Sequence, residues 1–308
     1  MVDTVVFFAP HELRSQYCGR SPQLPEGWEL GAIRNSREIG EYGVVERETR
    51  IFKHRDTGLR AIGDDVEVKK VEVSLPRVLH GSNGRLIKDA SELDNALCRT
   101  LRIVRQLGIP TTLERYWFNR VDLVWHFKGR LADFVKAHWH LRHKRVRKQT
   151  GHYDGQSLYW PGNGFRVRMY DKELEMNGTP GEVVRVEVQL RGKRLYQLFG
   201  VESGQLTILD FAKCYEVYRN IVLEFQPAPL ADVKGILEIL AICERNGWNE
   251  NGVGMLDLWA RNKNPRYARH VRAKVGKIVL QRSTINWAEL LPEAGPPDPV
   301  EVEAGLEP

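Results

Sequence analysis

Between residues 66 and 191 the chain alternates apolar and polar positions in several short stretches, and in two longer ones repeats them with a helical period. Alternation predicts strands, because successive strand side chains point to opposite faces. Strands are expected at about 66–75, 118–127, 156–160, 165–172 and 183–191, and Pro76 closes the first of them. The apolar stripe Leu93, Leu97, Leu101, Val104 and Leu107 predicts a helix that starts near Ser91-Glu92-Leu93-Asp94 and stops at Gly108 and Pro110. A second amphipathic helix is expected at about 131–145, after Gly129. The opening residues read as a first strand, followed by edge strands and loops around Pro22, Pro25 and Gly31. This order predicts an α+β fold, a mostly antiparallel sheet with helices packed on one face.

From about Leu206 the pattern turns helical, with segments at about 208–223, 230–243, 253–262 and 264–281. The organisation expected is an α+β domain over 1–204, a helical subdomain over 205–290 and a disordered tail over 291–308, where prolines and acids leave too little to pack.

Each predicted strand places one reactive side chain on its polar face. In Phe165-Arg-Val-Arg-Met-Tyr170-Asp-Lys172, Arg166, Arg168, Tyr170 and Lys172 fall in one row. Glu187 takes the polar side of 185–190, Asp122 that of 120–125 and Glu72 that of 71–75. If these strands share a sheet, a tyrosine in a cationic row faces three carboxylates. Tyrosine is a poor nucleophile at neutral pH, so flanking cations such as Arg168 and Lys172 are needed to favour its phenolate. Carboxylates and water suit Mg2+ or Mn2+, which polarise phosphate oxygens, and Glu72, Asp122 and Glu187 are the candidate ligands. The chemistry that fits is metal-assisted attack by Tyr170 on a phosphodiester. The ordinary alternative is an antiparallel sheet with one solvated face and no site at all.

Charge narrows the partner. The net charge is +6, but from Glu289 onward there are six acids and no Lys or Arg, which leaves the body near +12. The densest run holds Arg142, Lys144, Arg145, Arg147 and Lys148. Such a body favours a polyanion, above all nucleic acid. No apolar run of about 18 residues suggests a membrane span. The four cysteines form no Cys-x-x-Cys pair, which points away from zinc and toward a reducing cytoplasm.

His138-Trp139-His140 has the spacing of a two-histidine metal motif. On a strand both rings would point one way. Within the predicted helix they point to nearly opposite sides and share no ion. Trp160-Pro-Gly-Asn-Gly164 reads as a hairpin loop with a packed aromatic. No phosphate-binding loop is present.

From Val68 to Gly200 the chain resembles the gene-two-type replication initiators of filamentous phages. The likeness is carried by Val71-Glu-Val-Ser-Leu-Pro-Arg-Val-Leu-His-Gly-Ser-Asn83, Arg120-Val-Asp122, Phe165-Arg-Val-Arg-Met-Tyr170-Asp-Lys172-Glu-Leu-Glu175 and Val184-Arg-Val-Glu187-Val-Gln-Leu-Arg-Gly-Lys-Arg-Leu-Tyr-Gln-Leu-Phe-Gly200. The Tyr-x-Lys element followed by Arg-x-Glu is also similar to rolling-circle initiators of small Gram-positive plasmids. The resemblance implies a site-specific nicking and joining enzyme that cuts one strand at a replication origin. It would stay bound to the 5′ phosphate through Tyr170, with Lys172 on the lysine two residues later, and depend on a divalent metal. Its implied partners are origin DNA, single-stranded at the nick, and a host helicase, polymerase and single-strand-binding protein in a bacterial cytoplasm. Residues 206–308 carry no such likeness. The competing expectation is a DNA-binding regulator on the same scaffold without catalysis.

Overall fold

The computed structural model of the chain describes residues 1–8, 24–40, 43–63, 68–107, 117–138, 141–146, 152–201, 206–227 and 285–302. They form two compact units. One comprises Met1–Trp125, Val188–Tyr218 and Glu301–Pro308, the other His126–Glu187 and Arg219–Val300.

In the first unit, strand β1 (Val2–Phe8) pairs antiparallel with β5 (Val68–Ser74) on one side and with β6 (Trp117–Lys128) on the other. The first strand expected at the start thus lies inside the sheet. Val2, Val5, Val6 and Phe7 are all buried, and so is Asp3, which accepts from the Ser74 hydroxyl at 3.0 Å, so both faces of this strand are covered. Outward from β5 the order is β4 (Arg60–Gly63), β3 (Gly43–His54) and β2 (Trp28–Gly40), again antiparallel.

Strand β5 ends just before Pro76, and a helix follows at once. Helix α1 (Leu75–His80) has Ser74 as its N-cap residue and Pro76 in its first turn, where proline loses no needed hydrogen bond. Its C-cap, Gly81, takes φ 80°, a left-handed conformation that suits glycine. Helix α2 (Ala90–Arg105) packs on α1, which lies against β1 and β5. Its core face is the expected stripe Leu93, Leu97, Leu101 and Val104. Its cap is Asp89, not Ser91: the Asp89 carboxylate accepts from the Glu92 N–H at 2.8 Å, and Glu92 accepts from the Lys88 N–H at 3.0 Å. Helices α5 (Gly192–Phe199) and most of α6 (Phe211–Val222) complete this unit.

In the second unit, β11 (Val183–Arg191), β10 (Phe165–Asp171), β9 (Ser157–Gly162) and β8 (His152–Tyr153) are neighbours in that order. The β9–β10 hairpin turns through Asn163 and Gly164, the latter at φ 68°. Strands β6 and β11 run through both units.

Helix α3 (Leu131–His138) is shorter than the expected 131–145, because Leu141–His143 form strand β7 instead, which pairs with β12 (Phe225–Pro227). Backbone pairing there outweighs the amphipathic pattern. An aromatic cluster of Phe127, Phe134, His138 and Trp287 fills the space beside α3. The expected helices at 230–243, 253–262 and 264–281 lie outside the described residues. In the segment 291–302, Leu291 and Val302 are buried, and the Val302 N–H donates to the Gly84 carbonyl at 3.1 Å. Polar contacts add to these two apolar anchors, among them Arg219 Nε to the Leu291 carbonyl at 2.8 Å and Arg85 to Glu301 at 3.2 Å. Among the described residues no helix is long and apolar enough to cross a membrane.

Candidate active site

The acids and the tyrosine fall in different units: Glu72 and Asp122 in the first, Tyr170, Lys172 and Glu187 in the second.

In the first unit, strand register aligns the acids. Val6 pairs with Glu72 on one side and Arg120 on the other, so Glu72, Arg120 and Asp122 share one sheet face. Asp122 is only 2% exposed, and Arg120 grips it with a two-pronged fork. Arg120 Nε donates to Oδ1 at 2.8 Å and Nη2 donates to Oδ2. The third guanidinium nitrogen, Nη1, donates to Glu72 Oε1 at 3.2 Å. Gln189 Nε2 also reaches Asp122 Oδ2, at 3.4 Å. Every nitrogen of this arginine is therefore engaged by the two carboxylates. Sequence reasoning noted Arg120 only as part of a motif. The signal was available, since Arg120 and Asp122 lie two apart on one strand face.

That arrangement bears on the divalent ion implied by the resemblance. Both oxygens of Asp122 and one of Glu72 already face a guanidinium. Among the described residues no group of three or more His, Cys, Asp or Glu side chains is gathered so as to hold a metal ion. As they stand, Glu72 and Asp122 do not fit one. Glu187 is half-buried on β11.

In the second unit, the polar row of β10 sinks progressively into the protein. Arg166 is exposed, Arg168 half-buried and Tyr170 buried, at 7% exposure. Only the first of these sits on the solvated face that alternation predicts. Ser157, opposite Tyr170 in the register, is buried and accepts from Arg168 Nε at 3.1 Å and from Nη2 at 2.8 Å. This places the guanidinium carbon 4.5 Å from the centre of the Tyr170 ring. A cation over a tyrosine face is attracted by the ring's quadrupole.

Lys172 does not continue the strand row. The strand stops at Asp171, and Lys172 is the first residue of α4 (Lys172–Asn177). The corner is built by Asp171, a residue to which the alternation pattern assigns no task. Its Oδ1 accepts from the Leu174 N–H at 2.8 Å and caps the helix, and its Oδ2 accepts from the Gly181 N–H at 2.9 Å. Glu173 binds the Glu182 N–H and, at 3.0 Å, the Val183 N–H. Together they fix the helix against the start of β11. The Lys172 side chain is fully buried and its ammonium pairs with Glu175, whose side chain is 47% exposed. Nearby, His126 is buried, and its Nδ1–H donates to the Val300 carbonyl at 2.8 Å. Burial, with the charges of Arg185 and Lys172, pushes its pKa down to about 2.

Of the expected basic run, Lys144 is exposed and Arg142 half-buried. Arg145 is paired with Glu224 at 2.6 Å. Arg147 and Lys148 lie outside the described residues. Trp160 is fully buried, donates to the Leu141 carbonyl at 3.0 Å and offers no face to a base. His138 is buried with both ring nitrogens engaged: Nδ1 donates to the Phe134 carbonyl at 3.0 Å and Nε2 accepts from Trp287 at 2.7 Å. His140 lies outside the described residues.

No protein family matches the chain's sequence, and no curated protein matches it. Among solved structures, the chain is similar to a rolling circle replication initiator protein from Geobacillus stearothermophilus. The TM-score is 0.34 at 15% identity, over 73% of this chain and 84% of that one. A likeness of that size assigns no function to this chain.

Proposed function

We propose that the chain is a DNA strand-nicking and joining enzyme that starts rolling-circle replication through Tyr170. The observation that carries this reading is the Arg168 guanidinium 4.5 Å over the Tyr170 ring, anchored by Ser157. A cation fixed over that ring is attracted to its face and holds a positive charge beside the nucleophile. The phenolate oxygen attacks a backbone phosphorus, the Oη–P bond forms, and the P–O3′ bond breaks. The leaving 3′ oxygen takes a proton, the 5′ phosphate stays on Tyr170, and attack by a 3′ hydroxyl reverses the step. Lys172, at the strand–helix corner, contributes positive charge on exchanging its Glu175 partner for phosphate. Exposed Arg166 and Lys144, with Arg142, hold the backbone, and the excess of basic charge draws DNA in. Origin DNA and the host helicase, polymerase and single-strand-binding protein are the partners this reading entails.

The test is a covalent adduct. Full-length protein is incubated with supercoiled DNA carrying candidate origins and with Mg2+ or Mn2+. Nicked circles that retain protein through detergent and heat are expected, and Tyr170→Phe yields none. Adducts that persist in that variant would overturn the assignment.

A second reading, a DNA-binding regulator without catalysis, is favoured by two observations: the burial of Tyr170 and the closure of the Glu72–Asp122 pair by Arg120. DNA bound tightly but left intact under every metal tried is its signature.

A further inference from the structure

We propose that Arg120 is the permanent cation of the Glu72–Asp122 pair, so that this chain fills with a guanidinium the place where the strand faces suggest a divalent ion. This holds whether or not the chain cleaves DNA, and it concerns the first unit alone. Three features carry it.

The fork is side-on and complete, with Nε and Nη2 on the two oxygens of Asp122 and Nη1 at 3.2 Å from Glu72. Parallel charge-assisted hydrogen bonds of this kind are the strong ones, and lysine cannot reproduce them. Arginine also stays charged at any physiological pH, so nothing short of displacement frees the carboxylates. A divalent ion seeking the same oxygens would sit beside a fixed positive charge and be repelled. Finally, Asp122 is 2% exposed while Arg120 and Glu72 keep 20% and 26% of their side chains open. The buried carboxylate therefore depends on Arg120 for compensation, as buried charges must. Arg120 and Asp122 come from β6, Glu72 from β5 and Gln189 from β11, so the cluster ties together three strands. Arg120 is thus a positioning residue that holds two acids in a closed ion cluster.

Two measurements on the full chain without DNA test this. In the first, Mn2+ binding is followed by the electron paramagnetic resonance of the free ion, in the wild type and in Glu72→Gln and Asp122→Asn. Binding at millimolar Mn2+ is expected to agree within twofold across the three. A tenfold loss in Glu72→Gln, which alters a partly exposed side chain that the fold tolerates, would overturn the proposal. The second is a double-mutant cycle on the folding equilibrium with Arg120→Met and Asp122→Asn. The pair is expected to couple by at least tenfold in the folding constant, the double variant losing less than the two singles combined. Additive losses would overturn it too.

Discussion

Arg168 sits with its guanidinium carbon 4.5 Å from the ring centre of Tyr170, and both of its bonds to Ser157 point it there. A contact over the ring face sets a positive charge beside the tyrosine. Arg168→Met removes that charge and keeps much of the packing. A cation–π contact of this partly desolvated type contributes about 1–2 kcal/mol. Adduct formation by Arg168→Met is expected to slow by about tenfold or more. Ser157→Ala, which leaves the charge but frees the guanidinium, should give a smaller loss. Single-turnover adduct rates at saturating DNA measure both.

Stability should fall in mild acid. His143 is buried between the Ile221 carbonyl, which takes its Nε2–H at 2.8 Å, and the Arg145 N–H, which donates to its Nδ1. Burial pushes its pKa down to about 4, and that of His126 to about 2, both below the ordinary 6.5. Only the neutral rings suit the fold. The unfolded chain takes up these protons first, so the contribution is whole above pH 6.5 and is lost as pH falls through it. At pH 5 each histidine costs about 2 kcal/mol relative to neutral pH. Denaturant midpoints across pH 5–8 check this, and His143→Gln should flatten part of the slope.

Gly181 tolerates no side chain. A β-carbon built there falls 2.6 Å from Glu173 Cβ as well as 1.9 Å from its carboxylate oxygen. Moving a carboxylate is easy, but moving Glu173 Cβ means moving α4, whose cap at Asp171 also binds the Gly181 N–H. Gly181→Ala is expected to destabilise the protein by about 1–3 kcal/mol. If strand cleavage depends on the 170–172 corner, adduct yield falls with it. Thermal unfolding alongside the adduct assay separates the two effects.

DNA affinity should discriminate among the arginines. Arg166 is exposed, whereas Arg145 is tied to Glu224. Each phosphate contact adds nearly one unit to the slope of log K against log salt. Arg166→Ala is expected to lower that slope by about one unit for all sequences alike, and Arg145→Ala by much less. A loss confined to one DNA sequence would contradict a backbone role. Salt titrations of binding to unrelated duplexes and single strands decide it.

The elements were legible to the extent that their pattern was local. The α2 stripe Leu93, Leu97, Leu101 and Val104 and the alternation of β10 needed only residue spacing to be read. The end of α3 at His138 did not, because β7 forms by pairing with β12, more than 80 residues further along the chain. A helical period cannot report a partner that distant.

For the site, the sequence by itself determined the residue types and their faces: a basic row ending in Tyr170, acids at 72 and 122 on polar strand positions, and an excess of positive charge. Periodicity is a property of one strand, so it carries that much. What only the tertiary structure decided is the company each side chain keeps. Register across β5, β1 and β6 brings Glu72 and Asp122 onto one guanidinium, and the hairpin β9–β10 sets Ser157 where it turns Arg168 onto Tyr170. Burial and ion pairing depend on which strands become neighbours, and alternation within a single strand is blind to that choice.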